Sequence, residues 1–294
     1  MELLAVVWDF NPTLVNIFGF EIRWYSLMWV LALLAAGWVG GYCIRRDGKT
    51  DKEVDNAFLY IVLGTIIGAR LGHCLFYEPE VYLPEPWRII TDIRKGGLAS
   101  HGAALGIIVG MWYSSIKNKV TFLWTADRIG IVAPLAGGII RLGNLFNSEI
   151  IGNETTVAWG FKFMRLYPNM PEELVPMRHP TQLYEALCYF AIFAILFLLY
   201  RYTKISKREG FIFGATLVGI FLSRFIIEFI KIDQVAFEQN MTLNMGQWLS
   251  VPFVLLGAGL MVWSWCRYKG EPEVVATPTV QREKSPKNKK RFKR

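Results

Sequence analysis

The sequence predicts an all-α polytopic membrane protein of about seven transmembrane helices with a small external head, and three observations predict it. Of its 294 residues 53% are hydrophobic and only 19% charged, whereas about a quarter of a soluble domain is charged. Seven runs approach the ~20 mostly apolar residues that a bilayer core requires; they cover about 17–42, 54–76, 98–116, 122–146, 182–200, 211–230 and 248–265. Basic residues fall in alternate connections, as cytoplasmic loops demand.

The third and fourth runs are the least uniform, since Gly, His and Arg interrupt them. The N-terminus has no basic region and carries Glu2 and Asp9, so the first span is expected to act as an uncleaved insertion signal. Arg45, Arg46, Lys49 and Lys52 follow span one, Lys117 and Lys119 span three, and Arg201, Lys204, Lys207 and Arg208 span five. The other loops carry Glu78, Glu80, Glu85 and Asp92, then Glu172 and Glu173, then Asp233 and Glu238. The expected orientation is N-terminus outside and C-terminus inside.

Two domains' worth of behaviour are expected: a membrane domain over 1–266 and a basic tail over 267–294. The formal charge of +8 comes mostly from that tail, which holds ten Lys/Arg against three Glu. Its Lys, Pro and Ser content predicts disorder and contact with anionic lipid. No aromatic platform accompanies the charge, so no nucleic-acid partner is expected. The external loop 147–179 contains Trp159, Phe161, Phe163, Tyr167, Pro168, Pro171 and Pro176, which fits a small folded head, with 155–163 extended enough for a hairpin. Cys43, Cys74, Cys188 and Cys266 form no CxxC or metal spacing and read as apolar packing residues.

An ionised side chain in hydrocarbon is costly and marks a functional site by default. Arg70, Arg128, Arg141 and Arg224 fall inside spans, with Glu228, His73 and His101. Arg70, His73 and Tyr77 share one helix face; Arg141, Asn144 and Ser148 repeat the spacing, and Arg224 can reach Glu228 one turn on. Arg128, near the cytoplasmic start of its span, is expected to be structural, and Arg70 fits either role. Arginine suits a phosphate because its planar fork donates two parallel hydrogen bonds and stays charged. GxxxG pairs such as Gly64 and Gly68, or Gly102 and Gly106, predict close helix approach. Ser100-His101-Gly102-Ala103 opens a span after Gly96-Gly97; an imidazole there can take a proton from a thiol, while spacing alone favours a satisfied structural histidine.

These residues resemble a known family. Arg141-Leu142-Gly143-Asn144-Leu145-Phe146-Asn147-Ser148-Glu149-Ile150-Ile151-Gly152 closely resembles the RxGNFxNxExxG signature of prolipoprotein diacylglyceryl transferases. Ile22-Arg23-Trp24-Tyr25-Ser26, Gly68-Ala69-Arg70-Leu71-Gly72-His73, Gly96-Gly97-Leu98-Ala99-Ser100-His101-Gly102, Arg178-His179-Pro180-Thr181-Gln182-Leu183-Tyr184-Glu185 and Ser223-Arg224-Phe225-Ile226-Ile227-Glu228-Phe229 are similar to further family blocks. The resemblance covers roughly 15–265. It implies transfer of the diacylglyceryl group of phosphatidylglycerol to the lipobox cysteine beside a preprolipoprotein's signal peptide, forming a thioether and releasing glycerol phosphate. This is the first step of bacterial lipoprotein maturation, at the periplasmic side of the inner membrane, with no metal or cofactor.

By resemblance, His101 is the base, and Arg141 and Arg224 bind the phosphate and stabilise the leaving group, with Glu228 and Tyr25 also catalytic. Asn144, Gly152 and Arg70 join the lipid site, and Glu149, His179 and Glu185 support it. Three positions depart from the family pattern: Ala103 for a second glycine, Leu145 for phenylalanine, and Ile220 where some members carry tyrosine.

The chemistry suits these residue types: cleaving the glyceryl carbon–oxygen bond generates a phosphate monoester, which needs cationic stabilisation, and the thiol must lose a proton. No GxSxG, HExxH or EF-hand pattern occurs. A transporter whose arginines line an anion path lacks a clear internal repeat; a lipid-binding scaffold would hold phospholipid without turnover.

Overall fold

The computed structural model describes residues 5–93, 96–232 and 241–268. Long helices dominate: α1 (Trp24–Arg46), α2 (Asp51–Phe76), α5 (Ser100–Lys117), α6 (Phe122–Phe146), α7 (Thr181–Tyr202), α8 (Phe211–Ile227) and α9 (Met245–Arg267), with one-turn helices α3 (Pro79–Tyr82) and α4 (Arg88–Thr91) after α2. Strands β1 (Val6–Trp8), β2 (Thr13–Ile17), β3 (Phe20–Arg23), β4 (Phe161–Phe163) and β5 (Met177–Arg178) are short. Among the described residues six helices are long and apolar enough to cross a membrane, and the chain is a multi-pass membrane protein. The seventh expected span, α5, is 18 residues long and has His, Ser and Lys near its ends. It falls short of the other six in apolarity.

Helix starts are chemically marked. Thr121 Oγ1 accepts from Trp124 N–H at 3.0 Å to begin α6. Asn244 and Gln247 cap α9 reciprocally, at 2.9 and 3.0 Å. Pro134 and Pro252 lie inside α6 and α9, where neighbouring helices can satisfy the freed backbone groups.

The α2–α5 seam is backbone on backbone. A Cβ at Gly72 would stand 2.7 Å from Gly102 Cα, and one at Gly110 would stand 2.9 Å from Ile61 Cα. Gly106 lies against the Gly64 carbonyl. Gly106→Val is therefore expected to destabilise the fold by about 1–3 kcal/mol or more through overpacking, seen as a lower unfolding midpoint in detergent; an unchanged midpoint would show that the seam can open. Val39, Cys43, Ile131, Val132, Leu196, Tyr200 and Ile212 join α1, α6, α7 and α8 in a second buried core.

At the other end of α1 and α6, Arg128 meets Asp47 at 2.5 Å and stacks on Trp124, while Tyr200 donates to Asp47 at 2.9 Å. Arg128 is thus a helix brace, as its position in the span suggested.

Two expectations are corrected. The first span does not begin at 17: residues 17–23 belong to the antiparallel β2–β3 hairpin, and α1 begins at Trp24. Hydropathy cannot separate an apolar strand from a helix, and the turn Phe18-Gly19, with φ of 52° and 85°, reverses the chain. Residues 155–163 do not pair as a local hairpin. Instead β4 runs parallel to β1, with Val6 opposite Phe161 and Trp8 opposite Phe163, and antiparallel to β5. Trp8 also donates its indole N–H to Leu145 O at 3.0 Å, anchoring this small sheet over the end of α6. The basic tail lies, from residue 269 onward, outside the described residues, as do Asp233 and Glu238.

Candidate active site

The C-terminal ends of α2, α6 and α8 and the N-terminal ends of α1, α5, α7 and α9 meet at one end of the bundle, because consecutive spans alternate in direction. That end collects most of the membrane charge. Arg141, one turn before the end of α6, places Nε 2.6 Å from Oε2 of Glu185, whose side chain is 0% exposed. Its Nη1 donates to Asn144 Oδ1 at 3.2 Å, and Asn144 Nδ2 donates onward to Glu149 Oε1 at 2.7 Å. The spacing of three on α6 turns Arg141 and Asn144 onto one face.

Glu185 accepts a second cation. Lys231 Nζ lies 2.7 Å from its Oε1 and 3.1 Å from Glu228 Oε2, and its side chain is 3% exposed. Arg224 Nε stands 3.9 Å from Glu228 Oε2. It is buried, with no hydrogen-bond partner among the described residues. Arg141, Arg224 and Lys231 thus face Glu185 and Glu228, three cations against two carboxylates. In a low-dielectric site the remaining positive charge attracts an anion strongly. Glu228 in turn rests on the start of α9: a Cβ at Gly246 would stand 2.6 Å from its carboxyl carbon.

The loop after α6 is stitched to its neighbours. Gly152 N–H donates to His179 O at 2.9 Å, and Asn153 N–H to Ile230 O at 2.8 Å. Thr181 Oγ1 and Gln182 Nε2 donate to Ile150 O and Glu149 O at 2.7 and 2.6 Å. A Cβ at Gly152 would stand 2.6 Å from His179 Cβ, so the position has room only for glycine. Ser148 and Ile150 hold φ of 55° and 59°, a costly conformation for a β-branched residue, of the kind that clusters at functional sites. His179 Nδ1 is 3.2 Å from Tyr184 OH, which also accepts from Trp159 at 2.8 Å. Tyr25 packs its ring on Gly143, where a Cβ would stand 3.0 Å from Tyr25 Cδ2.

Two expected members stand apart from this cluster. All five N–H donors of Arg70 are engaged by Ile89, Gly96, Gly97 and Arg88 carbonyls and Tyr82 OH, at 2.6–3.4 Å, and the residue is buried. No N–H is left to offer a phosphate, so Arg70 braces the turn between α2 and α5. His101 lies exposed in the first turn of α5 and makes no hydrogen bond or ion pair with the arginine cluster among the described residues.

An apolar cavity of ≈ 320 Å³ lies between α1, α2, α5 and α6. Its walls include Trp29, Ala103 and Ile140, which lie within one turn of Tyr25, His101 and Arg141 respectively. The imidazole, the phenol and the guanidinium themselves lie outside its lining.

Sequence reasoning missed Lys231, Gln182 and Tyr189, whose buried phenol lies within reach of Arg141. Lys231 follows an apolar run and looks like an ordinary interfacial lysine. Gln182 and Glu185, at i and i+3 in the opening turn of α7, carried a usable signal.

The family model for prolipoprotein diacylglyceryl transferase matches residues 12–263. The chain belongs to this family. It is 42% identical over 270 residues to the phosphatidylglycerol–prolipoprotein diacylglyceryl transferase of Bacteroides fragilis, covering 88% of this chain and 95% of that one. It is 45% identical over 270 residues to the protein of the same name from Porphyromonas gingivalis, at 87% and 94% coverage. With that of Tolumonas auensis it shares 45% over 265 residues, at 87% and 96%. Of the departures from the diacylglyceryl transferase pattern, Ala103 lines the apolar cavity and Leu145 joins the core beneath the head sheet. Nothing in the structure explains Ile220.

Proposed function

We propose that the chain transfers the diacylglyceryl group of phosphatidylglycerol to the lipobox cysteine of a prolipoprotein, at the periplasmic face of the bacterial inner membrane. The observation that carries this reading is the Arg141–Glu185–Lys231–Glu228–Arg224 chain of charges, which gathers three cations around two buried carboxylates at one end of the bundle. Loops rich in Lys and Arg join the helices at the end away from these residues, and the positive-inside rule then directs the site outward.

The reaction forms a carbon–sulfur bond at the glyceryl carbon and breaks its carbon–oxygen bond to phosphate. The thiol proton passes to an acceptor, and glycerol phosphate leaves with the bonding electrons. A singly charged diester becomes a monoester, so negative charge grows on phosphate oxygens during the step. Arg141 and Arg224 answer that growth, Arg141 being oriented by Glu185 before the lipid arrives and Arg224 standing near Glu228 with its Nε unpaired among the described residues. The orientation of Arg141 costs nothing further when the bond breaks. His101, exposed at the α5 start, receives the proton and can release it to water. Asn144 and Glu149 fix the Arg141 fork, Gly152 and His179 hold the loop beside it, and Tyr25 closes the wall next to Gly143.

The test is incubation of purified protein with phosphatidylglycerol vesicles and a lipobox peptide, followed by peptide mass. A gain of one diacylglyceryl unit is expected. His101→Gln is expected to retain phosphatidylglycerol binding and lose turnover about 10²–10⁴-fold. Full activity in that variant would remove His101 as the base, and no mass gain from folded protein would overturn the transferase reading itself.

A further inference from the structure

We propose that the β2–β3 hairpin is an interfacial anchor, seated among lipid headgroups at the site's end of the bundle, which sets the depth at which the arginines meet phospholipid. Its register makes it amphipathic. Val15 pairs with Ile22 and Asn16 with Glu21, so alternate side chains point to opposite faces. Val15, Ile17 and Ile22 form an apolar face, 38–48% exposed. Asn16, Glu21 and Arg23 form the polar one, with Arg23 3.3 Å from Glu21.

The tip strengthens the reading. Phe18 is 106% exposed and holds φ of 52° before Gly19 at 85°. Two-residue turns with positive φ favour Asn-Gly, and a bulky residue there is strained. An aromatic at this tip bears backbone strain, and its ring is fully exposed among the described residues. A lone two-stranded hairpin is also marginal in water, and among the described residues nothing covers its apolar face.

Chain continuity identifies that surface. β3 ends at Arg23 and the membrane helix α1 begins at Trp24, with Trp24 N–H donating to Pro12 O at 2.9 Å to close the hairpin base. No linker separates hairpin from span. Trp24 stacks on Phe146 and meets Phe10 edge-on, the aromatic arrangement found at membrane–water interfaces. An amphipathic element fixed at this level buries its apolar face in the headgroup boundary. Tyr25 follows at once and packs on Gly143 beside Asn144, which couples the anchor to the site.

The experiment replaces Phe18 with photoreactive p-benzoylphenylalanine in the full chain, reconstituted in phosphatidylcholine–phosphatidylglycerol vesicles with and without a lipobox peptide. The same label at Asn16 serves as the polar-face control. Illumination should give lipid adducts at position 18 several-fold above those at position 16, unchanged by peptide. Lipid adducts equally frequent or absent at both positions, or peptide adducts displacing lipid at position 18, would overturn the anchor. The readout needs no turnover, so it stands or falls separately from the transferase reading. A second arm tests the coupling: Phe18→Ser is expected to raise KM for phosphatidylglycerol with kcat little changed, and an unchanged KM would remove the depth-setting role.

Discussion

Arg141→Lys is expected to lower diacylglyceryl transfer about 10²–10³-fold, the usual effect of removing one oriented donor from a developing oxyanion. Charge alone is not the reason, since lysine keeps it. Arg141 contacts Glu185 through Nε and Asn144 through Nη1 simultaneously, which leaves further N–H groups of the same fork for a phosphate. Lysine offers one nitrogen on a flexible stem. It can pair with Glu185 or bind phosphate, without the planar fork that holds both. The unfolding midpoint should change little, because the ion pair to Glu185 can re-form. Single-turnover peptide lipidation checks the rate, and a variant retaining most of its activity would show that only the charge matters at this position.

Lys231→Met carries the largest expected cost in stability. Glu185 would keep Arg141 at 2.6 Å, whereas Glu228 would be left with Arg224 at 3.9 Å, and leaving a buried charge unpaired costs about 3–5 kcal/mol. Lys231→Arg should keep most of the stability. Lys231→Met combined with Glu228→Gln should recover part of the loss, because the second change removes the carboxylate that lost its close cation. Unfolding in detergent measures all three. Should the single and double variants melt together, the carboxylates are compensated by something other than Lys231.

Much of the architecture was legible because a bilayer leaves few options: backbone polar groups must be satisfied within the segment, so long apolar runs become helices. Six runs did so plainly. The failures share a cause, which is distance along the chain. The β1–β4 pairing joins residues 6–8 to 161–163, and no local pattern in 155–163 announces a partner so remote. Residues 17–23 read as membrane because they are apolar, while the turn that makes them strands depends on two backbone angles.

The site divides in the same way. Arg141, Asn144, Glu149 and Gly152 were visible as one spaced motif, and the loop geometry brings that motif to Glu185 and Glu228. Arg70 looked like a member by residue type and depth. Its contacts emerged only when Tyr82, Arg88, Ile89, Gly96 and Gly97 brought five acceptors around its guanidinium. Lys231 gave no warning, since its two partners approach from α7 and from the residue three positions earlier.

The contact between Glu228 and Gly246 bears on how the protein is made. Synthesis delivers α6, α7 and α8 to the membrane before α9, and until that last helix docks nothing braces the Glu228 carboxylate from the Gly246 side. A nascent chain halted before residue 245 would carry Glu228 with its Lys231 contact but without the backbone of Gly246 against it. The cluster around Glu228 is therefore complete only once α9 has docked.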